Sequence, residues 1–300
     1  MIEEGGTVDL GASRQAKAST PGPSDATPGA SSSFADATAV TPAADGIFAA
    51  RIPPEWGFRG RPHGGFLLAI AARAAICASQ RPHPHVVSGS FIRSAESGAA
   101  EVHVELMKQG RLVTHTQATL SQHGNVVVAA QVAVGEPGHD QPSWLQVPDP
   151  PPARYAGCVP VPHRPGRAGL LERLDIRYDP ATTPDLNGGT GAARICGWVE
   201  FRDGSPPDAL AAVLAADALP ASVLNLGVRG WAPTLHMTVY LRRTPAPGPL
   251  AVSVAARLVA GRWFDEVADV YDASGALVAQ GRQLALMPHG GDQPTAPPVG

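Results

Sequence analysis

Residues 110–124 read GRLVTHTQATLSQHG, and residues 261–275 read GRWFDEVADVYDASG. Both blocks open on Gly-Arg and close on Gly, with strand-like runs meeting at a glycine turn, and they stand 151 positions apart, from residue 110 to residue 261. The likeness extends upstream. A strand candidate ending in Phe91-Ile92-Arg93 precedes the first block, and one ending in Tyr240-Leu241-Arg242 precedes the second. Before each comes an Ala/Leu-rich helix, over 65–79 and 208–219. Two ordered copies of a helix followed by antiparallel strands constrain the fold more tightly than any single motif.

Working outward, the first copy places strands at 86–93, 101–108, 112–121 and 125–134, separated by short glycine-containing turns. The second places strands at 171–178, 193–202, 234–242, 250–259, 263–272 and 276–286, with Asp208 as a cap for its helix. The stretch FLLAIAARAAICAS after Gly64-Gly65 is apolar on nearly every face, so that helix is expected to be enclosed. The reading is an α+β chain: two curved antiparallel sheets, each wrapping a central helix, over residues 46–135 and 166–288. Between them, residues 136–165 carry nine prolines and read as a linker running across the surface. Residues 1–45, of which 30 are Ser, Ala, Thr, Gly or Pro, read as a disordered extension, with order starting near Gly46. Residues 289–300 read as a flexible tail.

A 300-residue chain with 44% hydrophobic residues can bury one large core or two fused ones. A net charge of −3 with 16% charged residues leaves no basic footprint for nucleic acid. Cys77, Cys158 and Cys196 are far apart and form no CxxC, so a cytoplasmic, reducing setting is expected. The longest apolar run is too short for a membrane span and contains Arg73, and no secretory signal is recognisable. No nucleophile elbow, P-loop, dinucleotide fingerprint or HExxH is present. His83-Pro84-His85 lacks a supporting carboxylate, so neither metal nor cofactor is expected.

Three scattered polar residues stand out. Asp217 is the only charged residue between Asp208 and Arg229. It is either a desolvated carboxylate suited to act as a base on water, or a helix end meeting solvent. Thr234 opens the strand PTLHMTVYLRR, where strict alternation turns it away from Leu235, Met237, Val239 and Leu241. Gln283 shares a strand face with Leu277, Ala279, Gly281 and Ala285, and needs partners if buried; a bulge would alter either parity.

The stretches WGFRGRPHGGFLLAIAARA, SGSFIR, GWVEFRDGSPPDALAAVLAADALP, PTLHMTVYLRR and VYDASGALVAQGRQLAL resemble the double-hotdog acyl-CoA thioesterases of the thioesterase II type, over roughly residues 46–288. The resemblance implies a tandem hotdog that hydrolyses acyl-CoA or acyl-carrier thioesters. It also implies that Asp217, Thr234 and Gln283 hold the attacking water. Gly64 and Gly65 are candidates for the oxyanion site at a helix N-terminus, or simply a helix-entry turn. Arg59, Arg61, Arg242 and Arg243 are candidates for the phosphates of coenzyme A, or ordinary surface arginines. The loop from Asp217 to Thr234 is shorter than in the best-known bacterial members. Two alternatives stand. One is a hotdog dehydratase, for which His63 is the sole candidate histidine, with Glu55 as its only carboxylate nearby in sequence. The other is a non-catalytic acyl-binding or scaffold protein. Further homo-oligomerisation is optional, because a tandem hotdog already mimics the usual hotdog dimer.

Overall fold

The computed structural model describes residues 33–138, 144–145, 152–163, 169–182 and 191–288. In the first half the elements are α1 (Phe34–Ala37), β1 (Thr41–Ala44), β2 (Ile47–Ile52), β3 (Gly57–Phe58), β4 (Arg61–Pro62), α2 (Gly64–Ser79), β5 (His83–Phe91), β6 (Gly98–Gln109), β7 (Val113–Gln122) and β8 (Asn125–Gly135). In the second they are β9 (Val159–Pro160), β10 (Leu174–Tyr178), β11 (Arg194–Phe201), α3 (Ala209–Ala215), β12 (Thr234–Leu241), β13 (Leu250–Ala260), β14 (Trp263–Tyr271) and β15 (Leu277–Leu286).

The two expected sheets are one. Thirteen strands pair in the order β1-β2-β6-β7-β8-β5-β12-β15-β14-β13-β11-β10-β9. Every pairing in it is antiparallel. The order reads nearly the same from either end, and its centre is the β5–β12 pair, where Val87 stands opposite Val239. The quoted blocks occupy equivalent places, as β7 and β14 with their turns. Gly124 and Gly275, at φ 73° and 84°, close those turns in left-handed conformations that a side chain would strain.

Both helices lie against the inner face. In α2 the residues Gly65–Leu68, Ala69–Ala72, Ala74 and Ala75 are buried, and every residue of α3 is buried. Asp208 caps α3 by accepting from the Ala211 N–H at 2.8 Å. The helix is shorter than the expected 208–219. Asp217 N–H reaches back only to Leu214 O at 3.1 Å, a tightened final turn, and Pro220 follows to prevent continuation. The helices run antiparallel, since the start of α2 meets the end of α3 while Arg73 of α2 donates to Asp208 at 2.8 Å. A Cβ on Gly65 would stand 3.0 Å from Val213 O and 3.1 Å from Leu214 Cα, so any larger residue would press the end of α3 away by a few tenths of an ångström.

Order begins earlier than the expected Gly46. Ser33 and Asp36 form a capping box on α1, and Phe34, 3% exposed, enters an aromatic cluster with Trp56, Phe66 and Phe201. One large apolar side chain supplies the burial that the surrounding composition lacks. Residues 1–32 and 289–300 lie outside the described residues. Of the expected linker, residues 152–163 belong to the second half. Ala153 accepts from Trp198 Nε1 and donates to Asp179, and β9 pairs along β10. Among the described residues no helix is long and apolar enough to cross a membrane.

Candidate active site

The turn after α3 places Asp217 at the N-terminus of α2, from the other half of the chain. Asp217 Oδ2 accepts the Gly65 N–H at 2.7 Å. The position is favourable twice over, because the first-turn N–H groups have no intrahelical acceptor and the helix dipole favours negative charge there. The carboxylate side chain is 15% exposed. His63, just before α2, lies beside it: its Nε2 is 2.8 Å from the Asp217 carbonyl oxygen and 3.6 Å from Oδ2. The first distance is a hydrogen bond in which Nε2–H donates, and the second is too long to be one. The His63–Asp217 juxtaposition was invisible in sequence, where 154 positions separate the two.

Thr234 and Gln283 are brought together directly. Thr234 Oγ1–H donates to Gln283 Oε1 at 3.0 Å. This reverses the parity expected for Thr234. The pairing of β12 with β15 shifts register between Thr234 and His236, and that bulge turns Thr234 toward the face of Met237 and Gln283. Gln283 lies between buried Gly281 and Ala285, while Arg282 points outward to Asp265. A Cβ on Gly281 would stand 3.4 Å from Ala216, so β15 passes directly under the turn carrying Asp217. No hydrogen bond joins Asp217 to Thr234 or Gln283 among the described residues.

A fourth polar residue completes the group. Glu266 on β14, 2% exposed, accepts from Gln283 Nε2 at 2.8 Å and from both the N–H and the O–H of Ser222 at 2.6 Å. Burial pushes its carboxyl pKa up against the pull of the Ser222 and Gln283 donors, and the nearby charge of Asp217 adds to the rise. The signal for it was present. In Phe264-Asp265-Glu266-Val267-Ala268 the alternation puts Glu266 on the apolar face with Phe264 and Ala268.

The remaining candidates divide. Gly65 holds Asp217 with its N–H, so that donor is not free for an oxyanion; Gly64 keeps a first-turn N–H that no intrahelical carbonyl can reach. Arg59 and Arg61 sit on the exposed β3–β4 hairpin immediately before His63, and Arg59 lies over the Phe58 ring at 5.4 Å. Phe58 in turn stacks on Trp231, three residues before Thr234, with centroids 6.4 Å apart. Arg242 is not part of this neighbourhood. It follows the far end of β12, about 25 Å along the strand from Thr234, and donates to Gln280. Arg243 adjoins it. His83 and His85 pack ring to ring at 5.2 Å on β5, and no metal-binding group of three His, Cys, Asp or Glu occurs among the described residues. The three cysteines are free.

Two family models match the chain: residues 52–135 match the acyl-CoA thioesterase N-terminal domain, and residues 149–287 the acyl-CoA thioesterase C-terminal domain. An uncharacterized protein of Mycobacterium tuberculosis is 32% identical over 271 residues, which cover 81% of this chain and 91% of the relative. The crystal structure of a putative thioesterase II from Thermobifida fusca is 35% identical, with a TM-score of 0.79 over 85% of this chain and 97% of that one. A hotdog-fold protein of Alicyclobacillus acidocaldarius, 22% identical, shares the fold with a TM-score of 0.75 over 86% and 98%. A chain with this fold, matched in both halves, belongs to the acyl-CoA thioesterase family of the thioesterase II type.

Proposed function

We propose that the protein hydrolyses acyl-CoA or acyl-carrier thioesters to free acid and thiol, as a tandem hotdog whose two similarly built halves share one site. The observation that carries this reading is the Asp217 carboxylate, largely desolvated and held on the α2 N-terminus, in a turn under which β15, the strand of Gln283, passes. Asp217 accepts a proton from a water molecule whose oxygen forms the new bond to the thioester carbon. The tetrahedral oxyanion then expels the thiolate as the C–S bond breaks, and the Asp217 proton returns to sulfur. Thr234 and Gln283 orient the water, which contributes through proximity and prior loss of entropy. The Gly64 N–H is the donor assigned to the oxyanion. To Arg59 and Arg61, on the hairpin of the exposed Phe58 that stacks on Trp231, we assign the phosphates of coenzyme A. No cofactor is required, and the setting proposed is the cytoplasm.

Free-thiol release from acyl-CoAs of graded chain length tests the reading. The wild type is expected to release thiol, and Asp217→Asn to lower kcat by about 10²- to 10⁴-fold. Equal rates would remove Asp217 as the base. A second reading, a hydratase or dehydratase, draws on the 3.6 Å approach of His63 to Asp217. Against it, His63 Nε2 is committed to a main-chain carbonyl, and Nδ1 is buried. Hydration of a 2-enoyl thioester without thiol release would favour it. Binding without either reaction would favour an acyl-binding protein.

A further inference from the structure

We propose that Glu266 is a positioning residue that fixes the direction of the Gln283 amide and, through it, the polarity of the Thr234–Gln283 pair. The role rests on the hydrolytic reading above. A glutamine side chain has one end that only accepts and one that only donates, and the two are nearly the same shape. Nothing about the backbone of β15 decides which end faces β14. Glu266 decides it. Its Oε2 is taken by the Ser222 N–H, which can only donate, and by the Ser222 hydroxyl. Its Oε1 therefore remains, in the ionised carboxylate that the Ser222 donors favour, as an acceptor for Gln283 Nε2 at 2.8 Å. With the NH2 end turned to Glu266, Gln283 Oε1 faces Thr234 and compels that hydroxyl to donate its proton, at 3.0 Å.

The consequence is a defined hydrogen-bond polarity. Thr234 Oγ1, having given its proton to Gln283, can only accept from a water; the second N–H of Gln283 can only donate to it. A water between this pair and Asp217 then gives one proton to the carboxylate and one to Thr234 Oγ1. It takes the Gln283 N–H on one lone pair, and the other is left for the thioester carbon. Were the amide reversed, Gln283 would set its oxygen against the Glu266 carboxylate and its NH2 against Thr234, whose hydroxyl would then be free to donate to the water instead of accepting from it. Three donors converge on a carboxylate that is 2% exposed, an expensive arrangement to hold in an apolar sheet face unless the donors need holding.

The test is a double-mutant cycle on the whole chain. Glu266→Gln is nearly isosteric, but it has a single acceptor oxygen for the two obligate N–H donors of Ser222 and Gln283. It is expected to lower kcat about tenfold to a hundredfold with KM little changed. In a Gln283→Ala background the same substitution is expected to leave kcat within about twofold, because residues acting through one another are not additive. Additive losses overturn the positioning role while leaving hydrolysis standing. A wild type that hydrolyses no acyl-CoA overturns the hydrolytic reading and this role with it. Should Glu266→Gln fail to fold, the wild type itself decides the matter. The Gln283 side-chain NH2 signal, assigned by its loss in Gln283→Ala, is expected downfield and protected from exchange. An ordinary, freely exchanging signal overturns the proposal.

Discussion

Gly65 shows how much of this site depends on the smallest side chain. Its N–H holds Asp217 Oδ2, and a Cβ there would meet Asp217 Cβ at 3.1 Å and the backbone of Val213 and Leu214 at 3.0 and 3.1 Å. Backbone cannot move aside as a flexible side chain does, so Gly65→Ala must push the end of α3 away by a few tenths of an ångström. Alanine also gains about 1 kcal/mol of helix propensity over glycine, which offsets part of the overpacking cost of about 1–3 kcal/mol. The expected outcome is a small change in Tm with a loss of kcat of about tenfold or more, since the carboxylate proposed as the base is displaced while the core is kept. A variant that keeps the wild-type kcat would show that the position of Asp217 does not matter to that tolerance. At this scale the sequence was partly legible. Asp217 was visible as a lone charge in an apolar segment, and the parity of Gln283 was right. Thr234 was turned the wrong way, because alternation has no means of counting a bulge. Glu266 followed the alternation, on the apolar face with Phe264 and Ala268, but the sequence reading did not single it out.

Among the elements, α3 is the one whose seven residues most need outside support, being too short to persist alone. Asp208 supplies it in two ways, capping the Ala211 N–H and pairing with Arg73 of α2. The ion pair is half open to solvent, 40% exposed on the Asp208 side, and is worth little by itself. The cap is worth about 1 kcal/mol, up to about 2. Asp208→Ala is therefore expected to lower stability by about 1–2 kcal/mol in urea unfolding, and Asp208→Ser, which keeps a capping oxygen but not the charge, to recover most of that loss. Equal losses in both would assign the stabilisation to the ion pair instead. The cap was legible from Ser205-Pro206-Pro207-Asp208, and so were the cores of the long strands, because they repeat the period-two pattern twice over. What composition concealed was β1 and α1, set in a stretch of small residues. The repeat held the missing information: β10 and β11, expected at 171–178 and 193–202, flank β13 as β1 and β2 flank β6. Symmetry called for a strand before β2, and only a segment-by-segment view of hydrophobicity argued against it.

For the whole chain, the joined sheet changes what the duplication means. Two strand sets expected to close separately instead share the β5–β12 pair, and side-chain contacts also cross between the halves. Gly65 binds Asp217, Arg73 binds Asp208, Glu55 binds Arg173, and Phe34 stacks on Phe201. Sequence pattern alone could not report this, because strand alternation says which face is buried and nothing about which edge finds which. The buried apolar cluster is likewise continuous, running from Phe34 and α2 through α3 to Ala279. If each half were an independent domain, removing either would leave the other folded, and unfolding would proceed in two steps. The shared cluster and the shared site argue for one cooperative unit, in which half a molecule exposes the flank of β5 or β12 and one face of its helix. Urea unfolding followed by far-ultraviolet circular dichroism and by hydrogen exchange at β7 and β14 is expected to give coincident transitions and equal opening free energies at the two strands. Separate midpoints for β7 and β14 would mean that the seam is weaker than either half. The site would then lie across a hinge, and Asp217 would leave α2 before either sheet half came apart.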